Sequence, residues 1–318
     1  LLCQRGLLFQ RGRRVILIVE QMLNGLQYGV MLFLLAAGLT LIFGIMGVIN
    51  LAHGSLFMVG AYAGTYVAGL TGSFWAGLPA ALIAAALTGF AVEALVMRRL
   101  YRRDHLDQVL ATFGLILVFN QLIVLGFGRQ PVFTHMPDAF SGSIELMPGL
   151  PYPTYRLLII ATGLLVALGL YVLINRTRIG MLVRAGASNR DMVRALGVDV
   201  KLLYTVVFGL GALLAGLAGY MTGPISAVQV GMGEQILLAT FVVVVVGGVG
   251  SIKGAFVAGI SLGMADTMLR AFLPGLLRQF MAPSDADAIG LGVASMGIYL
   301  LMALVLLVRP RGLFAAGG

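Results

Sequence analysis

The sequence predicts an all-α fold, a polytopic transmembrane helical bundle of about eight to nine membrane segments, with broken or re-entrant elements and a possible internal repeat. Three observations carry this. The 318 residues are 60% hydrophobic and 10% charged, with mean hydropathy +1.01, where soluble domains carry roughly 25% charged residues. The apolar residues suffice for roughly eight to ten helices of about 20 residues each. The 44 Gly and 10 Pro are dispersed through apolar stretches, which excludes both a collagen-like repeat and a disordered polar chain. The same balance excludes a soluble single-domain enzyme.

Residues 1–14 (LLCQRGLLFQRGRR) mix Arg with apolar side chains and lack the small-residue cleavage site of a secretory signal. They are read as an N-terminal extension, disordered or an artefact of the translation start. Nine apolar segments follow, at 15–46, 51–70, 74–97, 106–127, 154–174, 202–222, 235–249, 255–273 and 289–308. A basic loop at 98–103, a Pro-rich loop at 129–153 and a polar loop at 175–201 separate them, none long enough for a soluble domain. The expected organisation is one transmembrane domain over 15–311, carrying the 175–201 loop, with a tail at 312–318.

The net charge of +9 comes from basic residues placed between apolar runs, where they orient a chain in a bilayer and make no nucleic-acid face. The 98–103 loop has four Arg, the 175–201 loop five Arg and one Lys, and the tail Arg309 and Arg311. These should face the cytoplasm, and the Pro-rich loop, with Arg129 alone, should lie outside. Counting spans backwards from Arg98 puts the N-terminus outside unless one segment fails to cross. The candidate for such an exception is 44–60, GIMGVINLAHGSLFMVG, whose Gly, Asn and His interrupt the apolar run as a broken or re-entrant helix does.

Sliding the chain by 200 residues lays GVINLAHG over GGVGSIKG, with Gly47 on Gly247, His53 on Lys253 and Gly54 on Gly254. Paired Gly-interrupted segments in two halves are where transporters place their pathway, so Asn50, His53, Gly54, Gly247, Gly250 and Gly254 are candidate path residues. GGVGSIKGA is not a phosphate loop, because Lys253 follows Ile252 and no Gly-Lys-Ser/Thr is present. Any ATPase must therefore be another chain. The single Cys3 cannot form an intramolecular disulfide, no Cys/His group has metal-ligand spacing, and no cofactor is expected. Among ionisable residues within apolar segments, Glu93 reaches Arg98 and the interface, Asp266 either lines a path or bonds a neighbouring helix, and Glu20 and Glu234 sit at segment ends. Small-xxx-small pairs at Gly25/Gly29, Gly60/Gly64, Gly219/Gly223 and Gly259/Gly263 predict close helix crossings.

In the polar loop, Ser188 followed by Asp191 resembles a capping box, Met192, Val193 and Leu196 give a small apolar face, and Gly197 stops the helix. The expectation is a short amphipathic helix on the cytoplasmic surface. It either lies on the lipid interface or docks on a partner, with Ala185, Gly186, Ala187 and Ala195 keeping it slim and Arg184, Arg190 and Arg194 available to acidic groups.

Three stretches together resemble a known family: QMLNGLQYGVMLFLLAAGLTLIFGIMGVINLAHGSLFMVGAY, RTRIGMLVRAGASNRDMVRALGVDV and GYMTGPISAVQVGMGEQILLATFVVVVVGGVGSIKGAFVAGISLG. They are similar to the Liv-type high-affinity branched-chain amino acid ABC permeases, the H subunit in particular, from Gln21 to about Arg311. The resemblance implies a multi-pass protein of the bacterial inner membrane, a permease and not an enzyme. It implies two related permeases, two cytoplasmic ATP-binding subunits and a periplasmic amino-acid-binding protein, importing leucine, isoleucine and valine by alternating access. It places ATPase docking on Ala185, Gly186, Ala187, Ser188, Asn189, Asp191 and Gly197, although many relatives carry acidic residues where Ser188 and Asn189 stand. An ion-coupled transporter or channel, with Asp266 as its carboxylate, and an ABC permease for amides or urea are the alternatives.

Overall fold

The computed structural model describes the backbone of residues 2–101 and 103–314, and side chains from Val15 onward apart from Arg190 and Asp191. Each apolar window contains one long helix. These begin with α1 (Leu2–Met46), α2 (His53–Thr71) and α3 (Phe74–Val92), which continues through a π-helical turn, Glu93–Met97, into α4 (Arg98–Leu100). Next come α5 (His105–Phe127) and α6 (Thr154–Arg176), then the polar-loop helices α7 (Arg178–Ser188) and α8 (Arg190–Ala195). The chain ends with α9 (Val200–Thr222), α10 (Met232–Gly247), α11 (Ile252–Leu277) and α12 (Pro283–Val308). Among the described residues, seven helices are long and apolar enough to cross a membrane; α2 and the 16-residue α10 are not among them.

Burial sorts the helices into a centre and a rim. In α1, 89% of the most apolar window is buried, against 17% in α5 and in α12. A helix that is apolar all round needs protein or lipid on every side, and α1 finds protein in α6, α9, α10 and α11. Glycine makes the crossings close, and the sequence-predicted pairs supply it. A Cβ on Gly29 would lie 2.7 Å from the Gly259 carbonyl and from Ile260 Cα, and one on Gly25 would lie 2.7 Å from Met264 Cα. On the α2–α9 crossing, Gly60 faces the Gly216 backbone and Gly219 the Phe57 carbonyl, with no room for a side chain. The two crossings are alike: each sets a helix that follows a break against a long central one.

The two ends of the bundle differ in charge. At one end Arg98 bonds Thr205 at the start of α9, Gly186 sits by Ile45 and Leu203, and Leu313 donates its N–H to the Val246 carbonyl (2.8 Å). This end carries the 98–103 loop, α7, α8 and Arg309 and Arg311, so the three basic segments share one side as expected. At the other end Arg156 bonds Asn24, Tyr155 donates to the Met221 carbonyl (2.9 Å) and Tyr220 to the Phe74 carbonyl (2.7 Å). Within the Pro-rich loop, β1 (Ser143–Met147) pairs antiparallel with β2 (Leu150–Pro153) around Gly149, whose φ is +85°. Because Ile16 lies beside Gly149, α1 enters the bundle at this end, and the backward count of spans closes without a segment that fails to cross.

What the count did not foresee is the depth at which α2 begins. His53 Nε2 lies 3.3 Å from the Leu35 carbonyl, eleven residues before the last residue of α1, or about 16 Å back along the helix. Residues 47–52 therefore climb from the basic end into the middle of the protein as irregular backbone before α2 starts.

Candidate functional site

Gly47, at φ +63°, turns the chain out of α1. Val48, Asn50 and Ala52 are then buried, as is His53. Irregular backbone at membrane depth is tolerated only where protein or a water-filled path surrounds it. Since the Leu35 carbonyl accepts, His53 Nε2 carries the proton of that bond, and Nδ1 has no partner among the described residues. Neither Nδ2 nor Oδ1 of Asn50 has a partner among the described residues, although Asn50 is 0% exposed. Buried amides are nearly always bonded; other buried polar atoms lack a partner among the described residues too, those of Thr40 and Tyr62 included, but Asn50 leaves both ends of its amide unpartnered.

Gly54 meets the start of α10. Its Cβ position falls on the Gly233 carbonyl, and that of Gly233 falls on the Gly54 carbonyl, so both must be glycine for the backbones to touch. Here the first turns of two helices that run to opposite ends of the bundle come together and bring the positive ends of their dipoles to one place, with the His53 and Ser55 N–H groups bonded to the Asn50 and Ala52 carbonyls and those of Met232 and Glu234 to Gln229 and Gly231. Asn50, His53 and Gly54 are thus brought to one place, with the α10 N-terminus added to them.

Gly247, Gly250 and Gly254 form a separate group at the basic end. Gly247 and Gly254 are packed backbone to backbone, Gly250 has φ +83° and lies where a Cβ on Gly44 would meet its Cα at 2.8 Å, and the Phe314 N–H bonds the Gly247 carbonyl (3.0 Å). Ser251 caps α11 by accepting from the Gly254 N–H (3.1 Å). Close packing and positive φ already require these glycines. Both stretches of the 200-residue correspondence interrupt helices, yet their basic positions differ: His53 is buried, and Lys253 is exposed with its ammonium 5.9 Å from the Tyr171 ring centre. Asp266 stands twelve residues beyond Gly254 on α11, about 18 Å along the helix, and its carboxylate accepts from Arg270 at 2.8 Å.

The 175–201 loop folds as two helices where one was expected. Thr177 caps α7 by accepting from the Gly180 N–H (3.2 Å), and the cap of α8 is Asn189, accepting from the Met192 N–H (3.0 Å), not Ser188, which ends α7. Gly197, at φ +84°, follows the end of α8. Gly180, Val183 and Gly186 are the buried stripe of α7, so Gly186 faces the bundle and Ala185 is half-buried. Ala187, Ser188, Asn189, Met192, Arg194, Leu196 and Gly197 are exposed. Arg184 bonds the Ile174 carbonyl at the end of α6, and the side chains of Arg190 and Asp191 lie outside the described residues.

Two polar clusters were not read from the sequence in full. Glu93, fully buried, accepts from Arg98 Nε (3.0 and 3.1 Å), the Tyr101 hydroxyl (3.0 Å) and Thr205 (3.0 Å). Only Arg98 was foreseeable by spacing. Burial first, and then the Glu93 charge, push the Tyr101 phenol up, keeping it a donor. The second cluster is Glu234 in the first turn of α10, bonded by Asn120 of α5; the signal for it was the Asn120–Gln121 pair within an apolar run.

An all-helical bundle with buried breaks in its membrane helices and a basic helical hairpin at one end is the architecture of a multi-pass membrane permease. The family model described as "Branched-chain amino acid transport system / permease component" matches residues 21–308, and the chain belongs to that family. It is 28% identical to the high-affinity branched-chain amino acid transport system permease protein BraD of Pseudomonas aeruginosa, over 93% of this chain and 95% of that protein. It is 26% identical to the LivH permease of Escherichia coli K12, named for the same transport system, over 93% and 94%. To the LivM permease of that organism the identity is 29%, over 88% of this chain and 67% of that protein. No solved structure matches it significantly.

Proposed function

We propose that this chain is the membrane-spanning subunit of an ATP-binding-cassette importer that carries leucine, isoleucine and valine into the cytoplasm by alternating access. It pairs in the bacterial inner membrane with a second, related permease and receives solute from a periplasmic amino-acid-binding protein. Two cytoplasmic ATP-binding subunits dock on the exposed rim of α7 and α8, Ala187 to Asn189 and Arg194 to Gly197, and hydrolyse the ATP. The basic end of the bundle is then cytoplasmic, in keeping with the positive-inside rule, and residues 15–311 act as a single domain.

The observation that carries the reading is the unpartnered Asn50 amide in the buried break before α2, beside the N-termini of α2 and α10. A zwitterionic solute presents its carboxylate to the positive ends of these helices and to the Asn50 NH2, and its ammonium to the Asn50 carbonyl. Movement of α7 reaches this place through α1, because Gly186 rests on Ile45 and the break follows Met46 directly. Asp266, the carboxylate on which the ion-coupled alternative would rely, is engaged through one oxygen by Arg270 (2.8 Å).

The test is reconstitution in proteoliposomes with the partner subunits and binding protein. Leucine uptake should require ATP, and the chain alone should hydrolyse none. Asn50→Ala should lower uptake at least tenfold, the loss expected when a hydrogen bond to a charged group is removed, with complex yield unchanged. Uptake without ATP, or an Asn50→Ala effect that tracks only the amount of assembled complex, overturns the reading.

A further inference from the structure

Glu234 carries a charge to a place where charge is costly. Two placements put it at bilayer depth. Its neighbour Gly233 touches the Gly54 backbone, next to the His53 ring bonded at Leu35. Its partner Asn120 stands seven residues before the end of α5, about 10 Å in from the Pro-rich end. Yet Glu234 is exposed on this chain, as are Gln235 beside it and Gln121 beside Asn120. A carboxylate at this depth does not face lipid; it faces a water-filled cavity or another polar surface. The contrast with the rest of α5 is sharp, for Leu110, Phe113, Leu117 and Leu125 expose only hydrocarbon.

We infer that the face formed by the first turn of α10 and the Asn120–Gln121 step of α5 lines the aqueous path, with Glu234 receiving the ammonium group of the passing amino acid. The inference rests on the transport reading above and adds the second half of zwitterion recognition to it. The positive end of the α2 dipole takes the carboxylate, and Glu234, one residue beyond the Gly54–Gly233 contact, takes the cation. Asn120 fixes the carboxylate's orientation from α5. One carboxylate bonded by a neutral amide, with a flanking Gln on each helix, makes this the polar stripe of an otherwise apolar surface.

The experiment uses the assembled complex in membrane vesicles. Gln235→Cys in a Cys3→Ser background is treated with a cationic and with an anionic water-soluble methanethiosulfonate. Each rate taken relative to that with a small free thiol, the cationic reagent should be favoured about tenfold, because an aqueous cleft with one sign of charge concentrates the opposite ion, and adding Glu234→Gln should return the ratio to that of the free thiol. Glu234→Gln keeps an acceptor for Asn120, so a merely structural role predicts no change. The inference predicts a leucine KM raised about tenfold or more, with complex yield unaltered. Equal relative rates with both reagents, no labelling, or an unchanged KM would each overturn it. Should the wild-type complex fail to carry leucine, the transport reading falls, while the charge selectivity of labelling still reports on the face.

Discussion

Glu93→Gln is the substitution whose consequence can be worked most fully. The carboxylate is the only acceptor common to Arg98, Tyr101 and Thr205, and it ties α3 to α9 one turn above the polar loop. Glutamine keeps the shape and one oxygen but presents its NH2 to a cation. Hydrogen bonds to charged groups are worth about 1.5–3 kcal/mol each. The Arg98 side chain, 44% exposed, regains water and recovers part of its share. Two hydroxyl bonds are weakened and one ionic bond is lost, for a net cost of about 2–4 kcal/mol. The assay is thermal unfolding of the detergent-purified chain, where this corresponds to a fall in Tm on the order of 5–10 °C. A double-mutant cycle with Arg98→Met should give a coupling of at least about 1 kcal/mol. A Tm within 1 °C or so of wild type, with no coupling, would show that the network is held by its neighbours and contributes nothing of its own.

Further outcomes follow from other elements. Gly29→Ala should destabilise the chain by about 1–3 kcal/mol through overpacking at the α1–α11 crossing, whereas Gly169→Ala on α6, where a Cβ meets nothing within 4 Å, should be neutral or stabilising by about 0.5–1 kcal/mol; equal Tm shifts would refute the crossing argument. Charge reversal at Arg190 and Arg194 together should abolish ATP-driven uptake and co-purification with the ATPase at unchanged membrane level, each lost charge-assisted contact being worth about 1.5–3 kcal/mol; full uptake would reduce α8 to an interfacial helix. His53→Gln retains a donor for the Leu35 carbonyl and should leave uptake near wild type, while His53→Leu should reduce folded yield; an uptake lost in both would assign the ring a titrating role.

Nine hydropathy windows found nine helices, seven of them long and apolar enough to span, because a bilayer demands long apolar runs and that demand is written directly in composition. The Gly pairs were legible for the same reason: close crossing needs small residues at i and i+4, and Gly25, Gly29, Gly259 and Gly263 met each other as the spacing required. Depth was not legible. That α2 starts opposite Leu35, and α10 opposite Gly54, is set by contacts between residues far apart in sequence. This is why Glu234, read as a segment end, stands beside the Gly54–Gly233 contact in the interior of the bundle. The cap of α8 moved from Ser188 to Asn189 because both are good caps and only the turn before them, where α7 ends, decides between them. The glycines at 247, 250 and 254 carried the right signal, a backbone that must come close, but it was close to other backbone.

The break before α2 also bears on how the chain is made. A helix that enters the bilayer with its first turn in the interior cannot be finished by the insertion machinery on its own, and α2 is not among the helices apolar and long enough to cross unaided. The backbone at Gly54 meets Gly233, which emerges from the ribosome roughly 180 residues later, on the order of 10–35 s at about 5–20 residues per second. Until then α2 is a lodger beside α1 and α3, with open polar groups that a quality-control protease can recognise. Substitutions at Gly54 or Gly233 should therefore shorten the lifetime of the newborn chain before any effect on the finished protein can be measured.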